Sequence, residues 1–185
     1  MRKLKLQVQI SLDGYIAGPN SEMDWLEWNW TEDINQYVQS ITEPVDCILL
    51  GRNLAEGFIP TWESHLTNPE MAPFAKKMVE TPKVVFTKTL EESKWANTVI
   101  AKGELAGEVN RLKNQEGKDI IVYGGGTFVS SLVEANLIDE YHLFFNPTAI
   151  GAGMKIFTGK TSLALEKSIP FSCGINVLFY TPKKS

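Results

Sequence analysis

Short apolar runs that stop at glycine and pass straight into helical periodicity constrain this chain more than any other feature. Val45 to Leu50 ends at Gly51-Arg52, and Ile120 to Tyr123 ends at Gly124-Gly125-Gly126, followed by an amphipathic stretch. Runs of this length, flanked this way, suit strands buried on both faces, the kind that parallel sheets covered by helices contain. Parallel strands need crossover connections, and the helix-like segments between the runs supply them.

The same pattern extends in both directions. Leu4 to Ile10 alternates apolar and polar residues, the period of a half-buried strand, and Asp13-Gly14 and Gly18-Pro19 mark turns after it. Thr31 before Glu32 and Asp33 reads as a capped helix start, with the helix ending near Thr42. A helix is expected over Glu70 to Glu80, strands at Lys83 to Thr87 and Thr98 to Ala101, and a helix over Glu104 to Gln115. After the triple glycine come a helix from Thr127 to Ala135 and a strand from Glu140 to Phe145. Leu163 to Ile169 and Ile175 to Thr181 are strand-like with no helix between them, which predicts an antiparallel hairpin. The expected fold is α/β: three layers around a mixed, mostly parallel sheet that ends in that hairpin.

At 185 residues the chain reads as a single domain, 1–185, able to bury roughly 70% of its extended surface. Its net charge of -4 creates no global field for nucleic acid or anionic membrane, so any anion must be held locally. No apolar run approaches a membrane span, and the amino terminus reads as a strand and not as a signal peptide; the expected location is the cytoplasm. Cys47, Cys173, His65 and His142 are isolated, which argues against a disulfide or a metal site.

Strand, glycine and helix in succession form a phosphate cradle, because missing Cβ atoms let an anion approach the amides at the positive end of the helix dipole. The same residues also serve as a tight turn without a ligand. The dinucleotide fingerprint needs a third glycine where Val129 stands, and Gly153 to Thr161 has one residue too many for a triphosphate-binding loop. What remains is a set of strand ends: the loop after the first strand, Gly51-Arg52, Thr87-Lys88 and the triple glycine. In an open α/β sheet these ends line one crevice.

Ser11-Leu12-Asp13-Gly14-Tyr15-Ile16-Ala17-Gly18, Leu50-Gly51-Arg52, Val122-Tyr123-Gly124-Gly125-Gly126-Thr127-Phe128 and Asn146 to Phe157, in this order, resemble the dihydrofolate reductase-like superfamily. They are most similar to its branch containing the reductase domain of bacterial riboflavin biosynthesis. The resemblance implies NADPH, with Ile16 and Ala17 near the nicotinamide and Gly51 and Arg52 near the adenosine phosphates. It implies Thr87 and Lys88 beside the 2'-phosphate, and Gly124, Gly125, Gly126 and Thr127 under the pyrophosphate. Hydride transfer to a small pyrimidine- or pteridine-like heterocycle follows from it, as does a homodimer, for which the hairpin with Val177 and Phe179 offers an apolar edge.

For the proton, the stretch Trp28 to Ile34 resembles the segment that carries the substrate carboxylate of folate reductases, which makes Asp33 the candidate. A carboxylate among tryptophans gains a raised pKa. Asp33 equally reads as a first-turn acid complementing the helix dipole, and Asp24 is a second candidate. Trp25, Trp28, Trp30, Tyr123 and Phe144 stand as a substrate wall, the tryptophans alternatively as loop packing. Thr81 stands where folate reductases use an arginine on the glutamate tail, Phe144 where they place a threonine near the pterin, and Leu54 where their usual threonine follows the Gly-Arg pair, and this points away from dihydrofolate. Lys155 reads as a surface lysine or as a partner for a substrate phosphate. The leading expectation is a riboflavin-type reductase; the alternatives are a dihydrofolate reductase and a nucleotide-binding dimer without chemistry.

Overall fold

In the computed structural model, which describes residues 1–183, the apolar runs become strands of a single sheet. These are β1 (Leu4–Ile10), β2 (Val45–Gly51), β3 (Lys83–Phe86), β4 (Thr98–Ala101), β5 (Asp119–Val122), β6 (Glu140–Phe145), β7 (Leu163–Pro170) and β8 (Asn176–Pro182). Their order is β4-β3-β2-β5-β1-β6-β8-β7. The first six run parallel, while β8 is antiparallel to both β6 and β7. This is the mixed, mostly parallel sheet with a terminal hairpin that the pattern of runs implied.

Helices cover both faces. The helices α1 (Glu32–Thr42), α2 (Arg52–His65) and α3 (Ala72–Glu80) lie on one side, and α4 (Leu105–Lys113) and α5 (Gly126–Glu134) on the other. Val109 and Leu112 of α4 and Val129, Leu132 and Val133 of α5 pack on Leu4, Leu6, Val8 and Ile10 of β1. Ala55, Ile59 and Met78 pack on Ile48, Leu50 and Ile121. Ile34, Val38 and Ile41 of α1 pack on Phe144 and Val177. A fully buried side chain such as Phe144 contributes about 2–3 kcal/mol by leaving water. Among the described residues no helix is long and apolar enough to cross a membrane.

Two local expectations are corrected. The alternation in β1 implied one wet face, yet Lys5 and Gln7 are buried like their apolar neighbours. Strand β1 is central, between β5 and β6, and α1 to α3 cover the face that the alternation assigned to water. Lys5 tolerates burial because its Nζ lies 2.9 Å from Asp119 Oδ2. The apolar face expected on the hairpin with Val177 and Phe179 is largely covered within the chain. Val177 is fully buried under α1, and Phe179 stacks on His142 with centroids 4.6 Å apart. Leu165, on the opposite face, is the exposed apolar residue of this hairpin.

Three more cations are spoken for at the amino-terminal edge of the sheet. Arg2 pairs with Asp46, Lys113 Nζ lies 2.6 Å from Asp139 Oδ2, and Lys3 Nζ lies 2.7 Å from Glu140 Oε1.

Candidate functional site

The carboxyl ends of β1 to β5 open on one cleft of about 900 Å3, a size typical of ligand sites. Its place follows from the sheet order. From β1 the chain crosses to β2 on one side, whereas from β5 it crosses over β1 to β6 on the other, and a crevice forms where these crossovers diverge. Ile16, Ala17, Gly51, Arg52, Thr87, Lys88, Gly124, Gly125, Gly126 and Thr127 all line it, as does Tyr123.

Two helices present uncapped amino termini here. Gly51 precedes α2 and Gly125 precedes α5, and neither offers a side-chain cap, so first-turn N-H groups face the cleft without a side-chain partner. Gly125 sits at φ 87°, ψ 100°, and Gly124 at φ 148°, conformations that side-chain-bearing residues avoid. Gly51 also has a packing reason: a Cβ there would lie 3.0 Å from Phe128 Cβ of α5. By contrast, α4 is capped internally by Glu104, whose carboxylate accepts from Ala106 and Gly107 N-H and is thereby held below its usual pKa.

Cations gather at the same end. Arg52 Nη1 donates to Thr89 Oγ1 at 3.0 Å, and Thr87 Oγ1 accepts from Thr89 N-H at 3.1 Å, which ties the start of α2 to the loop after β3. Lys88 is exposed beside them and makes no hydrogen bond or ion pair among the described residues. Lys102, at the end of β4, also lines the cleft, with its Nζ 2.5 Å from Glu91 Oε2. Its position after an apolar run is the same signal that marked Arg52 and Lys88, but β4 is short and half exposed, which weakens that signal. Gln9, Asn53, Glu104 and Ser131 line the cleft as well and carried no motif.

Of the expected substrate wall, Tyr123 lines the cleft, whereas Trp25, Trp28, Trp30 and Phe144 do not. Phe144 is fully buried beneath α1, and Trp30 stacks on it at 6.2 Å while donating its indole N-H to Glu27 O. Trp25 is buried with its indole N-H on Glu22 O, and Trp28 points to solvent with 69% exposure. Asp24 is exposed on the same loop. Trp30 and Phe144 serve packing, because α1 draws them into its own core, while Trp28 remains in solvent.

Asp33 also departs from expectation. Its carboxylate is exposed and accepts from Thr31 Oγ1, from Ser172 N-H and Oγ, and from Ile34 N-H. The Thr31 hydroxyl and then the Ser172 amide hold its pKa down at about 2, where a raised value was expected. Thr31 consequently gives its hydroxyl to Asp33 and not to a helix amide. Asp33 clasps the start of α1 to the β7–β8 turn and lies outside the cleft lining. Because the folded pKa sits below the ordinary 3.8, the clasp contributes fully above pH 3.8 and is lost as pH falls through about 2. Urea midpoints of the parent protein and Asp33→Asn are therefore expected to differ at pH 5 and to converge towards pH 2.

Among the described residues, three buried side-chain polar atoms have no hydrogen-bond partner: Gln7 Oε1, Tyr123 Oη and His142 Nε2, the last with Glu140 Oε2 at 3.5 Å. Each such atom costs about 1–3 kcal/mol when nothing satisfies it. Burial raises the Tyr123 pKa far above its usual value, so the hydroxyl keeps its proton and remains a donor. His142 Nδ1 lies 2.8 Å from Tyr37 Oη, and burial, helped by the Glu140 charge, pushes the Tyr37 pKa up to about 12.

The family model for the RibD C-terminal domain matches residues 2–177. The uncharacterized protein YyaP of Bacillus subtilis (strain 168) is 30% identical over 189 aligned residues, covering 97% of this chain and 94% of its own. Among solved structures, a Shewanella sp. PV-4 protein provisionally assigned to riboflavin biosynthesis superposes with a TM-score of 0.73 at 22% identity, each chain covered in full. A diaminohydroxyphosphoribosylaminopyrimidine deaminase/5-amino-6-(5-phosphoribosylamino)uracil reductase of Thermotoga maritima gives a TM-score of 0.69 at 17% identity. That match takes in 98% of this chain and 57% of the Thermotoga protein. Both superpositions speak to the fold.

Proposed function

The chain belongs to the RibD C-terminal domain family, and on that premise we propose that it is an NADPH-dependent reductase of a small pyrimidine- or pteridine-like heterocycle. The observation that carries this reading is the convergence on one cleft of two uncapped helix starts, the positive-φ Gly124-Gly125 turn and the cations Arg52, Lys88 and Lys102. A dinucleotide with an extra phosphate needs such a set: backbone amides for the pyrophosphate and point charges for the remaining phosphate. The cleft volume and this donor set fit NADPH.

In this reading Gly125, Gly126 and Thr127 hold the pyrophosphate, Arg52 binds the adenosine phosphates, and Thr87 with Lys88 binds the 2'-phosphate. Ile16 and Ala17, both buried at the cleft wall, hold the nicotinamide end and keep water from it. The chemistry that NADPH would supply when bound is a hydride to an electrophilic C=N or C=O carbon of the acceptor, with bulk solvent on the acceptor's open side as the source of the proton on its heteroatom. Asp33 lies outside the cleft lining with its carboxylate bound to Thr31 and Ser172, and this placement weighs against the dihydrofolate alternative.

The test is calorimetry with NADPH followed by NADPH oxidation in the presence of 5-amino-6-(5-phosphoribosylamino)uracil, the compound that the Thermotoga relative is named for reducing. Binding with oxidation is the expected result. Binding without oxidation of this compound or of a panel of pteridines and pyrimidines favours the non-catalytic alternative, and absence of binding overturns the reading.

A further inference from the structure

Two segments far apart in sequence form one wall of the cleft. The loop after β1 contributes Ile16 and Ala17, the segment between β6 and β7 contributes Met154, and all three line the cleft. Ile16 N-H donates to Met154 O at 2.9 Å and Met154 N-H to Ala17 O at 2.8 Å, an antiparallel bridge outside the named strands. Gly153 permits this approach, because a Cβ there would collide with Ala17 O. So short a bridge between loops opens readily unless something else holds the loops together.

Asp13 supplies that hold. Its carboxylate accepts from Gly151 N-H at 2.6 Å and from Ile150 N-H at 3.1 Å, just ahead of the bridge on both segments. Gly151, at φ 78°, lets two successive amides face one anion, a geometry that suits carboxylates. Leu12 N-H adds a bond to Thr148 O at 2.9 Å, and Lys155 Nζ lies over the Tyr15 ring at 4.9 Å from its centroid. The buried Ser11 donates its hydroxyl to Asp13 at 2.7 Å and accepts from Tyr15 N-H at 2.9 Å, which folds the loop back so that Ile16 returns to the cleft. The Ser11 hydroxyl first, and then the Gly151 and Ile150 amides, hold the Asp13 pKa at about 2, so the acceptor is a full anion at neutral pH. Asp13 itself is exposed and outside the cleft lining. Its effect on the site passes through the two segments that it joins.

We propose that Asp13 is a positioning residue: by clasping the Ile150-Gly151 turn to the loop after β1, it sets the Ile16, Ala17 and Met154 wall where the nicotinamide ring lies. The inference rests on the reductase reading, which assigns that end of the cleft to the nicotinamide. The phosphate contacts of that reading sit on other elements, on α2, on the loop after β3 and on the β5–α5 turn. Loss of the clasp therefore loosens the grip on the ring and leaves the grip on the phosphates.

The experiment compares two ligands by calorimetry on the parent protein, Asp13→Ala and Asp13→Asn. One is NADPH; the other is 2'-phospho-ADP-ribose, which carries the same phosphates and lacks the nicotinamide. Asp13→Ala is expected to weaken NADPH binding about tenfold, while affinity for 2'-phospho-ADP-ribose stays within about twofold. Asp13→Asn keeps the shape and one acceptor oxygen but loses the charge. It is expected to act in the same direction by a smaller factor, and it carries the test if Asp13→Ala does not fold. Equal weakening of both ligands means that the clasp supports the fold as a whole and overturns the inference. Unchanged NADPH affinity in both variants overturns it too, as does a parent protein that binds 2'-phospho-ADP-ribose as tightly as NADPH or more so. A parent protein that binds neither ligand overturns the reductase reading itself.

Discussion

Arg52→Ala combined with Lys88→Ala is expected to bind NADPH about a hundredfold more weakly than the parent protein. A charge-assisted hydrogen bond to phosphate contributes about 1.5–3 kcal/mol, and the lower end applies because the Arg52 side chain is 40% exposed and Lys88 is exposed. Two such losses, about 3 kcal/mol together, correspond to about two decades in affinity. The single variants separate the phosphates: Lys88→Ala narrows the preference for NADPH over NADH, whereas Arg52→Ala weakens both. Calorimetry at two salt concentrations checks the mechanism, since contacts this exposed weaken as salt rises. Affinity for NADPH unaltered in the double variant would remove these cations from the site.

The second large effect sets two adjacent glycines against each other. Gly125→Ala is expected to destabilise the protein by about 1–3 kcal/mol, a fall of about 3–10 °C in Tm for a chain of this size, and to abolish measurable NADPH binding. At Gly125 an added Cβ meets Leu54 and Phe128 no closer than 3.8 Å, so the cost lies in the backbone at φ 87° and not in a clash. Relief of that strain turns the peptide that opens α5 and takes its N-H groups away from the cleft. Gly126→Ala has no positive φ to violate, and its Cβ meets Met154 Cβ at 3.6 Å, an ordinary contact. It is expected to leave stability unchanged or raise it by up to about 1 kcal/mol, while its methyl group still reduces NADPH affinity. Thermal melts paired with calorimetry resolve the two effects, and equal melting temperatures for both variants would refute the backbone account.

Much of the fold was legible because its signals are local. The strand expected at Glu140 to Phe145 occurs with those bounds, and β2, β5 and α5 start and stop within about a residue of where glycine ends an apolar run. The strand ends that line the cleft were legible for the same reason: in a parallel sheet all carboxyl ends lie on one side, so residues following each run are brought together by topology alone. The burial of polar groups away from those strand ends was not legible. Gln7 reads as the polar half of an alternating strand, and only its place between β5 and β6 turns it into a buried group. Asp33 reads as an acid among tryptophans, whereas the Thr31 hydroxyl and then the approach of Ser172, 139 positions away, hold it ionised on the outside.

By itself the sequence determined the alternation of elements, the edge at which a phosphate-bearing ligand is expected, and the residues offered there, since periodicity, glycine placement and strand polarity are all short-range properties. Tertiary structure alone decided which polar side chains of β1 and β6 are buried, which aromatic rings pack inward, and that Gln7 and His142 stand side by side across β1 and β6. Those outcomes depend on strand order and register between segments more than a hundred residues apart, and no local pattern carries that information.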